Sequence, residues 1–223
     1  RHKLHIFAVI AQFRKLIRLI SGYIIHMTAQ LLAALAAFAF VTSITPGPNN
    51  LMLMTSGINF GMARTVPHML GVSLGFTLMI TLIGLGIMQL IDAIPGSQTA
   101  ITIASGFYLL YMAWQIATTD TAPASAQTEG NSKPFTFVQA ALFQWVNPKA
   151  WTMALTAIAA YAPKSMGWVG VIIVAGVFGL INLPSTGSWA MMGAKLRRFL
   201  SDPARLRIFN IVAALLLVAS LYP

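Results

Sequence analysis

The stretch AQLLAALAAFAFVTSITPGPNNLMLMTSG, residues 29–57, is apolar enough to enter a bilayer, yet Thr45-Pro46-Gly47-Pro48-Asn49-Asn50 interrupts it. A transmembrane helix needs about 20 mostly apolar residues, so the run is too long for one plain span. Proline lacks a backbone N–H and its ring clashes with the preceding turn. Two prolines around a glycine therefore end one half-helix and start another. In hydrocarbon the freed carbonyl and N–H groups must be satisfied by protein, ligand or cavity water. The hexapeptide marks either a cavity or a structural kink whose asparagines only cap the second half, and four consecutive residues unsuited to a plain helix favour the cavity. Asn49 and Asn50 stand at the N-terminal end of the second half-helix, which carries partial positive charge and attracts carboxylates.

Outward from this break, five more apolar runs are read as spans, at residues 66–91, 100–118, 137–161, 166–192 and 208–222. The expected fold is all-α, a polytopic membrane protein of about six transmembrane helices. Composition agrees: 57% of the residues are hydrophobic and 8% charged, against roughly 25% charged in soluble domains. The formal charge of +10 would suggest a nucleic-acid partner in a soluble protein, but too little polar surface remains for one. It reads better as topology. Arg64, Lys133, Lys195, Arg197, Arg198, Arg205 and Arg207 fall in the first, third and fifth loops, while Lys164 alone falls in the fourth. The positive-inside rule puts the odd loops in the cytoplasm.

Residues 119–136 are the one obvious linker, dividing the core into residues 27–118 and 137–223. A second break, Asn147-Pro148-Lys149, interrupts the first helix of the second set, as the hexapeptide interrupts the first helix of the first. Three spans is an odd number, so a duplicated unit inserts upside down, and paired breaks in corresponding positions point to a site between two inverted three-helix repeats. Lys149 lies near mid-membrane, where a charge is expensive and marks function unless it snorkels to an interface. Gln144, one turn before the second break, and Asn182, beside Pro184, are expected to complete the cavity. Ser185 and Ser188 are expected there too, as are Tyr108, Tyr111 and Gln115 on one face of the third span. Pro184 is expected to kink or unwind its helix, and Gly71 and Gly75 to let helices pack closely.

Thr45 to Met52, Ser56 to Gly61, Pro67 to Gly75, Gly106 to Tyr111, Phe143 to Lys149 and Asn210 to Val212 resemble the LysE/RhtB-type amino-acid exporters. The resemblance runs from Met27 to the end. It implies a six-helix carrier of the bacterial inner membrane that exports amino acids or close derivatives by proton antiport. The Pro-Gly-Pro-Asn-Asn form is nearest the branch that includes the cysteine and O-acetylserine exporter. Many relatives carry Asp where this chain has Asn49, and Asp92, Asp120, Glu129 and Asp202 all fall in loops or at helix ends. A small neutral or zwitterionic substrate is therefore expected. Its binding residues would be Pro46, Gly47, Pro48, Asn49, Asn50, Gln144, Asn147, Pro148, Lys149 and Asn182. Proton coupling is left to Lys149 or His68, although His68 reads better as an interfacial histidine.

Residues 1–26 form an extension that fits no span and no signal peptide. It reads as the product of a misplaced start codon ahead of Met27, or else as a basic amphipathic helix on the membrane surface. Cysteine is absent, and three of the four histidines lie in that extension. No metal site, cofactor or catalytic group is therefore expected. The partners expected are the substrate, protons, the bilayer and, as a homodimer, a second copy of the chain. The rivals to a carrier are a non-transporting membrane scaffold and, further off, an intramembrane enzyme.

Overall fold

Helix α1 (Ala29–Ile44) stops where Pro46 cannot continue it, and α2 (Pro48–Phe60) starts with proline in its first turn, where the missing N–H costs nothing. The axis bends by 54° between them. Then follow α3 (Met62–Gly84), α4 (Ile87–Asp92), α5 (Ser97–Ala117), α6 (Phe137–Phe143), a tight turn at Gln144–Val146, α7 (Pro148–Tyr161), α8 (Gly167–Leu196) and α9 (Pro203–Ala219). The computed structural model describes residues 29–119, 133–200 and 202–220, with Gln12 and Arg14. Apart from those two residues, the extension before Met27 lies outside the described residues, as does most of the linker. No strand occurs among those described.

Local chemistry sets the boundaries. Thr136 and Gln139 form a reciprocal capping box ahead of α6, Asn147 caps α7 and Asp202 caps α9, each satisfying orphan N–H groups. Gly61 (φ 79°) joins α2 to α3, and Gly86 (φ 97°) turns the chain sharply after α3. The second expected span consequently stops at Gly84 rather than at Ile91. At Pro184 the expected unwinding does not occur, since α8 runs unbroken from Gly167 to Leu196. Hydroxyls of Ser185, Thr186 and Ser188 bond backbone carbonyls of their own helix there.

By length and composition, α3, Thr99–Ala117 of α5 and the helical stretch Lys164–Leu196 can each cross a membrane, and the bent α1–α2 pair is a fourth candidate if it counts as one span. Six were expected. The count falls short because the break divides the fourth run into α6 and α7, and because α9 has only 17 residues.

Helix α8 is the hub, packing against α1, α2, α3 and α7. Between apolar helices in lipid, close packing does the work that water exclusion does elsewhere, and small residues permit it. A β-carbon on Gly57 would strike the backbone of Ala190, and one on Gly193 the carbonyl of Met54. Helices α2 and α8 therefore touch backbone to backbone. Gly71 and Gly75 play the expected role against Phe137 and Ala141. Phe76, Met79, Ile80 and Phe178 fill one core, and Met52, Leu109, Met112, Phe143 and Leu217 fill another. Leu74, Leu78, Phe107, Trp114, Leu180 and Leu215 face outward, as a lipid-facing surface requires. Arg197 lies against Gly61, and Lys133 shares a pocket lining with Phe60. The first, third and fifth loops thus meet at one end of the bundle.

Candidate functional site

Four of the carbonyls at the first break have side-chain donors. Asn50 Nδ2 reaches back to Ser43 O and Thr45 O, both at 2.8 Å. Trp189 Nε1, from α8, donates to Ile44 O at 3.1 Å. Lys149 Nζ, from α7, donates to Thr45 O at 2.6 Å and Pro46 O at 3.3 Å. The lysine does not snorkel away; it turns toward the carbonyl end of α1. Gly47 makes room for it, since a β-carbon there would lie 2.8 Å from Lys149 Cδ.

On the other side of the break the backbone N–H groups of Asn49 and Asn50 have no acceptor among the described residues, and the cap residue Gly47 offers no side chain. The second break differs. Asn147 Oδ1 accepts from Lys149 N at 3.1 Å, and Asn147 O accepts from Ala150 N and Trp151 N. Helix α7 therefore caps itself, whereas α2 presents open donors.

The two breaks are joined through side chains. Asn49 Nδ2 donates to Gln144 Oε1 at 2.8 Å, and Gln144 Nε2 donates to Asn49 Oδ1 at 3.1 Å and to Ala140 O at 2.8 Å. Gln144 is fully buried. Around this clasp lies a cavity with Thr42, Ser43, Gly47, Asn49, Asn50, Gln144, Asn147, Lys149, Asn182 and Thr186 as its polar lining, and Val72, Phe76, Ala150 and Met153 as its apolar wall. Its volume of about 20 Å³ leaves room for little more than one water molecule. The site is contracted.

Seven of the expected binding residues line this cavity: Gly47, Asn49, Asn50, Gln144, Asn147, Lys149 and Asn182. Pro46 and Pro48 do not. They face an apolar cavity on the other side of the break, with Leu51, Trp189, Leu216 and Leu217. Pro148 is exposed and lines neither. Ser185 and Ser188 lie off the cavity, where their hydroxyls are used by α8 itself. Tyr108, Tyr111 and Gln115 share a face but sit elsewhere. Tyr108 donates to Gln139 O at 2.8 Å, pinning α5 to α6, and Gln115 donates to Tyr111. His68 does not lie on the surface of the bundle. It is fully buried, its ring edge-on to Phe135, and neither ring nitrogen has a partner among the described residues. It lies outside the cavity lining. Ser43, Thr42 and Thr186 are lining residues not foreseen. The first two could have been found as neighbours of the freed carbonyls, and Thr186 as the residue one turn after Asn182.

Among the described residues, no group of three His, Asp or Glu could hold a metal ion. The fold and site together define a helical membrane protein built around broken helices, the architecture of a carrier. The profile of the LysE type translocator family matches residues 40–219, and the chain belongs to that family. It is a multi-pass translocator of the bacterial inner membrane, not an enzyme. It is 32% identical over 196 residues to the cysteine/O-acetylserine efflux protein of Escherichia coli O1:K1 / APEC, covering 86% of this chain and 96% of the relative. The proteins of that name from Escherichia coli strain K12 and Shigella sonnei strain Ss046 are 31% identical over the same shares. No solved structure matches the chain.

Proposed function

We propose that this translocator exports small neutral or zwitterionic amino acids, cysteine and O-acetylserine among them, by alternating access coupled to inward proton flow. The observation that carries this is the joining of two helix breaks, from opposite halves of the chain, around one polar cavity in an otherwise apolar bundle. Broken backbone at membrane depth is tolerated where it lines such a cavity. The open N–H groups of Asn49 and Asn50 suit a substrate carboxylate, and Gln144, Asn147, Lys149 and Asn182 line the rest of the cavity. No carboxylate lines the cavity, so a cationic amino acid would find no counter-charge. Six spans arranged as two inverted repeats, with the basic loops cytoplasmic, account for the paired breaks and for the gathering of basic loops at one end. Lys149 and His68 are the groups that could carry the proton, and a homodimer is compatible with the outward apolar faces.

Everted membrane vesicles test this directly, because export from the cell appears there as uptake. Labelled L-cysteine and O-acetyl-L-serine should accumulate when the lumen is acidic, and collapsing the pH gradient should abolish the accumulation. Uptake that ignores the gradient would remove proton antiport. No uptake above vesicles lacking the protein, for either compound, would remove the substrate class.

A further inference from the structure

One buried side-chain atom of the cavity lining is left without a partner among the described residues. Asn182 Oδ1, on a side chain 5% exposed, receives no hydrogen bond among the described residues, while Asn182 Nδ2 donates to Ser43 Oγ at 3.1 Å. A buried acceptor without a donor is costly, and each such atom in a native protein calls for an explanation. The same cavity also holds open donors, the N–H groups of Asn49 and Asn50. Acceptor and donors fall on opposite sides of the break, the acceptor beside the carbonyl end of α1 and the donors at the start of α2. An amino-acid zwitterion carries the complementary pair, an ammonium and a carboxylate on one carbon.

We propose that Asn182 Oδ1 receives the α-ammonium group of the substrate at the carbonyl end of α1, in competition with the Lys149 ammonium that holds Thr45 O and Pro46 O when the site is empty. This rests on the site assignment above and adds the orientation of the substrate within it. A helix C-terminus carries partial negative charge and favours one cation, while two ammonium groups at the same end repel. Entry of the substrate therefore releases Lys149, whose flexible stem can bring Nζ to the substrate carboxylate. The cavity then carries the same net charge empty as it does holding a zwitterion. An amine without a carboxylate would add a charge, and an acid without an amine would leave Asn182 Oδ1 unpaired. Selection for a free α-amino acid follows from both.

Binding to the purified full-length protein in lipid nanodiscs tests this, with L-cysteine compared against N-acetyl-L-cysteine, 3-mercaptopropionate and cysteamine. L-Cysteine should bind wild type at least tenfold more tightly than the other three. Asn182→Leu should weaken L-cysteine about tenfold while leaving 3-mercaptopropionate unchanged. Should that variant not fold, Asn182→Ala removes the same acceptor with less bulk. In Lys149→Ala, propylammonium should exclude L-cysteine competitively. Equal binding of N-acetyl-L-cysteine, full retention of L-cysteine by Asn182→Leu, or joint occupancy with propylammonium would each overturn the ammonium seat. If Gln144→Leu weakens L-cysteine and neither Asn182 variant does, the site stands and only the seat falls. If none of them weakens it, or if L-cysteine and O-acetyl-L-serine both fail to bind wild type, the site falls and the seat with it.

Discussion

The amide clasp between Asn49 and Gln144 is the contact on which the joining of the two breaks depends most, and a double-mutant cycle measures it. Two hydrogen bonds, of 2.8 and 3.1 Å, cross between the halves, and the third made by Gln144, to Ala140 O, stays within its own helix. At a net ~0.5–1.5 kcal/mol each, the crossing pair would contribute about 1–3 kcal/mol. Hydrogen bonds between membrane helices average nearer ~0.6 kcal/mol, which narrows the expected coupling to about 1–2 kcal/mol. That is a factor of roughly 5 to 30 in the unfolding equilibrium. Gln144→Leu and Asn49→Leu should each destabilise, because each strands the partner amide, and the double variant should lose less than the two single losses added. The bond to Ala140 O is absent from both Gln144 variants and cancels. Reversible unfolding in mixed detergent micelles, followed by helix signal across the four proteins, gives the coupling. A value below about 0.5 kcal/mol, the additivity of unconnected sites, would mean that the clasp does not hold the breaks together.

Gly57→Ala and Gly193→Ala should each cost about 1–3 kcal/mol by overpacking, whereas Gly106→Ala and Gly176→Ala, with nothing within 4 Å of the new methyl, should be neutral or slightly stabilising; thermal unfolding separates the two pairs. Gly47→Ala pushes a methyl against the Lys149 stem at an extended backbone position that tolerates any residue, so KM for export should rise several-fold with little change in melting temperature, and pairing it with Lys149→Ala should relieve the clash. Asn59 and Asn210 bond each other reciprocally at 2.8 and 3.0 Å in a buried setting, so Asn210→Leu should cost about 1–3 kcal/mol and the Asn59→Leu/Asn210→Leu double should recover most of it on denaturant unfolding. His68→Leu loses no hydrogen bond among the described residues, so stability should hold or rise; loss of pH-gradient dependence in vesicle uptake by this stable variant would identify His68 as the proton carrier, and unchanged dependence would leave Lys149.

What the sequence made legible was whatever proline chemistry controls. Pro46, Pro48 and Pro148 act on their own helical turns, so both breaks could be found without knowing any neighbour. The pairing of Gly71 and Gly75 with another helix was legible for the same reason, as spacing on one helix. The far wall of the cavity was not. Helix α8 is apolar on all sides, so its hydrophobic pattern does not say which face looks inward; Asn182 and Thr186 do, and Ser185 and Ser188 do not. Tyr108 and Tyr111 are polar groups on a single face, but the face belongs to the α5–α6 contact. The burial of His68 depends on Phe135 arriving from the far end of the linker, a distant contact that no local pattern carries. Pro184 shows the limit of proline itself, because its helix runs on unbroken from Gly167 to Leu196.

The correspondence of the two breaks also conceals a difference that gives the site its direction. Both second half-helices begin with proline after an extended residue, Gly47 in one and Asn147 in the other. A glycine cap leaves the N–H groups behind it free for a ligand, while an asparagine cap satisfies them at once. The second break can therefore offer little to a carboxylate from its own backbone, and what it supplies instead are side chains sent across to the first break, Gln144 to Asn49 and Lys149 to the carbonyls of α1. Two equivalent half-helix ends would present the same polarity twice. One open end and one capped end, with a buried amide oxygen on the carbonyl side, give the proposed zwitterion site its donor pole and its acceptor pole.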